Sequence, residues 1–124
     1  HREHLQSYGE VDFCLDPVAH GGGISTAEAL WMGVPVVTLA GVTISSRLTA
    51  SMLGVSGLQD WVAADEDDYV RIALEAAADP ARLARLRMSL RQTMAASPVG
   101  NIPAYVSAVE AAYRTMWQRW CAQV

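Results

Sequence analysis

The chain has 124 residues, 52% of them hydrophobic, with 13 acidic side chains against 9 basic ones and a net charge of −4. That length is one domain or part of one, and Gly, Pro or charge breaks every apolar stretch well short of the about 18 residues that a membrane span needs. The acidic balance argues against nucleic acid, which is bound through Lys and Arg, and Cys14 and Cys121, with no Cys or His at ligand spacing, read as reduced core thiols of a cytoplasmic protein rather than metal ligands.

The start HREHLQSYGE is polar and carries no secretory signal, and the absent methionine reads as an excised or processed segment. Residues 3–9 form a short helix with Leu5 and Tyr8 on one side. Phe13, Cys14 and Leu15 then make a short buried strand. Gly21, Gly22 and Gly23 follow, permitting positive φ and close approach of a ligand to the backbone. Ser25 to Glu28 match the capping box S/T-x-x-E, so Ser25 caps a helix and Glu28 reaches back to its N–H. That helix carries Ala29 to Met32 until Gly33 stops it, and Pro35 to Leu39 form a second strand, parallel to the first.

Ala40 to Thr43 make a second strand-to-helix loop at the same sheet edge, pivoting on Gly41. A helix from Ser45 or Ser46 to about Gly54 carries the apolar stripe Leu48, Met52, Leu53 and Val55. Leu58 to Ala63 are a minor edge strand. The acidic run Asp65 to Asp68 suits the first turn of a helix reaching Ala78, which explains it without a metal. Asp79 and Pro80 start a helix with Leu83, Leu86 and Leu90 inward and arginines outward. Ser97 to Pro103 are a linker, and a long final helix runs from Ala104 to about Cys121.

Strand, glycine loop and helix N-terminus together deliver backbone N–H groups to one spot, which attracts anions and phosphates above all. The pattern is neither GxGxxG nor a P-loop: no GK[ST] follows the glycines, and the chain contains no lysine. Dinucleotide dehydrogenases and NTPases are disfavoured accordingly. His20 either lines the loop or is simply exposed. Asp16, before Pro17, reads as a turn starter, and Arg47 as a surface ion pair in preference to a phosphate contact. The four tryptophans, Trp31, Trp61, Trp117 and Trp120, read as core or inter-lobe anchors rather than a sugar platform.

The runs LDPVAHGGGISTAEALWMGVPVVTLAG, SSRLTASMLGVSGLQDWVA, DDYVRIALEAAADPARLARLRMSLRQTMAASP and AYRTMWQRW, in that order, resemble the C-terminal end of the O-linked N-acetylglucosamine transferase family, glycosyltransferase family 41. The similarity covers nearly the whole chain. It implies an α/β fold: part of the second, Rossmann-like lobe of a GT-B glycosyltransferase, with parallel strands, flanking helices and a long C-terminal helix. Residues 1–100 would be the distal half of the nucleotide-sugar lobe, and 101–124 a helix packing back on it or toward the first lobe. Tetratricopeptide repeats often stand upstream in this family.

By position, the resemblance places His4 against the uracil ring of a UDP-sugar. Gly22, Gly23, Ile24, Ser25 and Thr26 fall on the loop and helix start that hold the diphosphate, and Glu28 where an aspartate binds the ribose hydroxyls. Catalytic residues are expected in the first lobe, and no metal or other cofactor is implied. Ile24 lacks the hydroxyl that the family commonly has there, Glu28 is longer by a methylene, and His1 stands where some members have a lysine near the phosphates. The implied activity is inverting transfer of a sugar from UDP to a Ser or Thr hydroxyl of an acceptor protein or peptide. Ile24 and Glu28 keep a second reading open, a non-catalytic nucleotide-binding or protein-interaction module.

Overall fold

A computed structural model describes residues 2–18 and 20–123. Strands β1 (Cys14–Leu15), β2 (Val36–Leu39) and β3 (Val62–Ala63) form a parallel sheet in that order. Cys14 pairs with Val36 and Leu15 with Val37, and β2 continues with Thr38 against Val62 and Leu39 against Ala63. Parallel neighbours need a crossover. Helices α2 (Ile24–Trp31) and α3 (Leu48–Val55) supply the two crossovers.

The first two strands are shorter than the apolar runs that encode them. Pro35 lacks an N–H and stays outside β2, although its carbonyl accepts from Cys14 N–H at 2.8 Å and so begins the ladder. The expected strand from Leu58 to Ala63 opens instead as a 3-10 turn over Gln59–Trp61, and only its last two residues pair. That turn buries Trp61 to 1% exposure, with the Arg82 guanidinium 5.2 Å from its ring centroid.

Helix α2 ends where expected, at a glycine. Gly33 has φ +82°, and a Cβ there would lie 2.7 Å from the Arg87 carbonyl oxygen, so both backbone conformation and space call for glycine. Helices α4 (Glu66–Ala78) and α5 (Pro80–Ala96) begin as read, with Asp65 accepting from Asp68 N–H and Asp79 from Arg82 N–H, each at 2.8 Å. Leu83, Leu90 and Met94 bury the inner face of α5. Arg87 does not point outward as its neighbours do. Half-buried, it donates to the carbonyl oxygens of Tyr8, at 3.2 Å, and of Val11, tying α5 to α1 (Arg2–Ser7) and the 3-10 turn Tyr8–Glu10 that follows it.

Three further expectations change. In α3 the buried stripe is Thr49 and Leu53, while Leu48 and Val55 are exposed, because a 3-10 turn over Ser45–Arg47 resets the phase of the helix. The last helix, α6 (Ile102–Cys121), starts two residues before Ala104: Asn101 accepts from Ala104 N–H at 3.2 Å, and Pro103 fits in the first turn, where a proline N–H is not needed. No residue of α6 is buried, so Cys121 is an exposed thiol and not a core one, and Trp117 and Trp120 lie open. Among the described residues no helix is long and apolar enough to cross a membrane.

Candidate functional site

The carboxyl edge of the sheet is where the backbone leaves β1 and β2. A cavity of about 500 Å³ opens there, lined by Tyr8, Asp16, His20, Gly21 to Gly23, Ser25 and Thr26. Asp16 is more than a turn starter. At 5% exposure its Oδ1 accepts from Gly22 N–H at 2.6 Å and its Oδ2 from the Thr38 hydroxyl at 2.8 Å. On the other side, Thr49 Oγ1 donates to the Gly22 carbonyl at 3.0 Å and lies 3.0 Å from Thr26 Oγ1. A hydroxyl carries one proton, so with that of Thr49 given to Gly22, Thr26 donates to Thr49.

The glycine loop works by space rather than by positive φ. Among the described residues only Gly33 and Gly57 have φ above zero. A Cβ on Gly22 would meet Thr26 Oγ1 at 2.4 Å and Ser25 Oγ at 2.9 Å, whereas one on Gly23 would meet only Leu48 Cδ1 at 3.8 Å.

The capping box does not form. Helix α2 starts at Ile24 with Gly23 as N-cap and no side-chain cap, which places Ser25 inside the first turn with its side chain exposed. The first helical bond runs from Ala27 N–H to the Gly23 carbonyl at 3.1 Å, so the N–H groups of Ile24, Ser25 and Thr26 precede the helical ladder, and Ser25 and Thr26 line the cavity. Their partial positive charge is the electrostatic character of the site. Glu28 turns to α1 instead of to Ser25, its Oε2 lying 3.2 Å from His4 Nε2.

His4 and Glu28 are thus brought together, and His4 stacks edge-on against Tyr8 with ring centroids 5.4 Å apart. Burial, reinforced by Cys14 and Glu28, raises the Tyr8 pKa, so the phenol keeps its proton and donates to the Ser25 carbonyl at 3.2 Å. Tyr69 is raised likewise by burial and then by Asp16, and it donates to the Asp16 carbonyl at 2.9 Å. Burial also pushes the Cys14 thiol up.

Ile24 is 80% exposed and lines a separate apolar groove with Leu48, Met52, Val99 and Ile102. His20 is exposed and at the cavity as well, so the two readings of it coincide. Arg47 Nη1 donates to the Gly41 carbonyl at 3.1 Å, and among the described residues Arg47 makes no ion pair. His1 lies outside the described residues.

The family model for glycosyl transferase family 41 matches residues 1–109. The chain belongs to glycosyl transferase family 41. Over 119 residues it is 43% identical to an Arabidopsis thaliana protein named as a probable UDP-N-acetylglucosamine–peptide N-acetylglucosaminyltransferase, SPINDLY, covering 96% of this chain and 13% of that protein. A Caenorhabditis elegans UDP-N-acetylglucosamine–peptide N-acetylglucosaminyltransferase is 29% identical over 118 residues, covering 95% of this chain and 10% of its own length. A solved structure of an O-GlcNAc transferase mutant from Thermobaculum terrenum superposes with a TM-score of 0.86 at 38% identity, covering 99% of this chain and 24% of that one. The chain therefore spans a small part of its family 41 relatives. Its architecture is the one expected, an α/β portion of a GT-B glycosyltransferase with parallel strands and a long last helix.

Asp16, Thr38 and Thr49 are the site residues that sequence reasoning undervalued. A hydroxyl in the apolar run PVVTL needs a buried partner, and pairing Leu15 with Val37 puts the next residues, Asp16 and Thr38, side by side. That signal was present in the two runs taken together. Thr49 gave none, because its burial depends on the phase of α3.

Proposed function

We propose that this chain is the distal half of the UDP-sugar-binding lobe of a glycosyltransferase similar to protein O-GlcNAc transferases, which transfers a sugar from UDP to a Ser or Thr hydroxyl of an acceptor protein. The observation that carries this reading is the N-terminus of α2 opening on the cavity beside Gly22, Gly23 and the exposed Ser25 hydroxyl. Charge grows on the diphosphate as it leaves, and N–H donors already fixed in place stabilise that charge most. No metal ion is needed by such an arrangement. Within it Gly23, Ile24, Ser25 and Thr26 supply backbone N–H groups, Ser25 adds a hydroxyl, and the His4–Glu28 pair receives uracil and ribose. Residues 1–100 form the distal half of the lobe and 101–124 a helix that packs back on it or toward the first lobe, where the catalytic groups stand, in a cytoplasmic protein.

Calorimetry with UDP, ADP and GDP on the full-length chain tests the reading. UDP is expected to bind much more tightly than the other two, and equal affinities would remove the uridine assignment. Ile24 faces the apolar groove and not the cavity, which favours the second reading, a nucleotide-binding module without turnover. Release of UDP from a UDP-sugar in the presence of acceptor peptides separates the two.

A further inference from the structure

We infer that Asp16 and Thr49 are positioning residues that hold the two peptide units flanking Gly22, one each, and so aim the following N–H groups, at Gly23 and the start of α2, into the cavity. The inference rests on the donor-site reading for its ligand, but the clamp itself is a property of the chain alone. Gly22 gives its N–H to Asp16 Oδ1 at 2.6 Å and takes the Thr49 hydroxyl on its carbonyl at 3.0 Å. Both polar groups of one residue are therefore satisfied by side chains from two different places in the fold, the residue that follows β1 and the first turn of α3. A loop whose backbone has no sheet or helix partners is otherwise free to rotate its peptides, and each rotation misdirects the donors that follow.

Both clamping side chains are held in turn. Asp16 Oδ2 accepts from Thr38 on β2, its backbone N–H bonds the Val37 carbonyl at 2.9 Å, and its carbonyl accepts from Tyr69 on α4. Thr49 is fully buried and accepts from Thr26 on α2. The loop is thereby fastened to the sheet and to three helices. No space is left for slack, since a Cβ on Gly21 would lie 3.0 Å from Asp16 Oδ2 and one on Gly22 3.2 Å from Asp16 Oδ1. A buried carboxylate beside a place for an anion weakens anion binding through its charge, so the use of Asp16 is geometric: two acceptors in one rigid plane.

The test uses the full-length chain and reads both amide hydrogen exchange over residues 20–26 without ligand and the affinity for UDP. Asp16→Ala releases the clamp, Thr49→Val releases its other side with no change of shape, and Asp16→Asn keeps an acceptor for Gly22 while offering Thr38 a donor in place of an acceptor. Leu90→Ala, in the buried core of α5, controls for lost stability. Asp16→Ala and Thr49→Val are expected to speed exchange in the loop and to weaken UDP each by about tenfold, with Asp16→Asn and Leu90→Ala within about threefold of wild type. Should Asp16→Ala not fold, Thr49→Val against Asp16→Asn decides. Unchanged loop exchange in Thr49→Val, or a loss of UDP affinity in Leu90→Ala equal to that in the clamp variants, overturns the inference. Loop exchange that responds as expected in a protein whose wild type does not bind UDP leaves the clamp standing and rejects the donor-site reading alone.

Discussion

Thr26 Oγ1 and Thr49 Oγ1 lie 3.0 Å apart in a buried contact that joins the first turn of α2 to α3. The proton of Thr49 is committed to the Gly22 carbonyl, so that of Thr26 is committed to Thr49, and neither can be given to a ligand without breaking this chain. The helix start therefore offers a ligand one exposed hydroxyl, that of Ser25, together with backbone donors.

Ser25 is where this division of labour is most easily read. Since its side chain caps nothing, Ser25→Ala is expected to change unfolding free energy by less than about 0.5 kcal/mol. Its UDP affinity should fall by about 1 kcal/mol, the worth of one hydrogen bond. Chemical denaturation paired with calorimetry reports both, and a clear loss of stability would restore Ser25 as the helix cap.

The neighbouring glycines should behave differently from each other. Gly22→Ala drives a methyl against the Thr26 and Ser25 hydroxyls and is expected to cost about 1–3 kcal/mol, as overpacking does. Gly23→Ala has open space and should cost less than about 1 kcal/mol. Urea melts of the two variants compare them directly; equal losses would show that the loop needs flexibility and not room.

How much of this was legible in the chain divides by the range of the interaction. The place and parallel pairing of the two main strands, the glycine stop at Gly33 and the cap at Asp79 depend on a few adjacent residues and follow from them, whereas the burial expected of the first strand does not hold, Leu15 being 57% exposed. The capping box at Ser25 fails although its motif is present, because α2 already starts at Ile24, and Glu28 lies instead beside His4, 24 residues away. Arg87 was read as a surface residue because its carbonyl partners stand 79 and 76 residues earlier in the chain. Local pattern says which groups want a partner, and only the tertiary fold says which partner arrives first.

Arg87→Ala is expected to destabilise the protein by about 1–3 kcal/mol by taking the guanidinium donor from the Val11 carbonyl and from that of Tyr8, which keeps only the long Val11 N–H contact at 3.5 Å. Arg87→Lys should recover little, since an ammonium does not span two carbonyls as the planar guanidinium fork does. Because these carbonyls follow α1, nucleotide affinity should fall in both variants along with the melting temperature. A lysine variant with wild-type stability would show that the contact is charge alone.

The acidic turn of α4 gives a pH dependence with a definite sign. The Ala64 N–H and then Arg71 hold the Asp68 carboxyl below its ordinary value. A carboxylate whose pKa is depressed by folding stabilises the fold above its unfolded value, and the contribution is lost as pH falls through the folded value. Asp68→Asn should therefore narrow the stability difference between neutral and acid pH, as followed by thermal melts across that range. A pH profile parallel to wild type would show that neither the Ala64 N–H nor the Arg71 contact to Asp68 is maintained in solution.

The last expectation concerns α6, whose outer surface carries Tyr105, Tyr113, Met116, Trp117 and Trp120, all exposed. No residue of this 20-residue helix is buried, so its length is not explained by packing on the described lobe. Burial of apolar surface contributes about 25 cal/mol per Å², and large aromatic side chains left in water favour association over any dispersed state. The 124-residue chain by itself is accordingly expected to self-associate with rising concentration. Trp117→Glu together with Trp120→Glu should shift it toward monomer while leaving α5 and the sheet folded. Sedimentation velocity over a concentration series, with circular dichroism as the check on folding, measures both. A wild-type chain that stays monomeric throughout would show that these aromatics cover one another on the helix surface and need no partner.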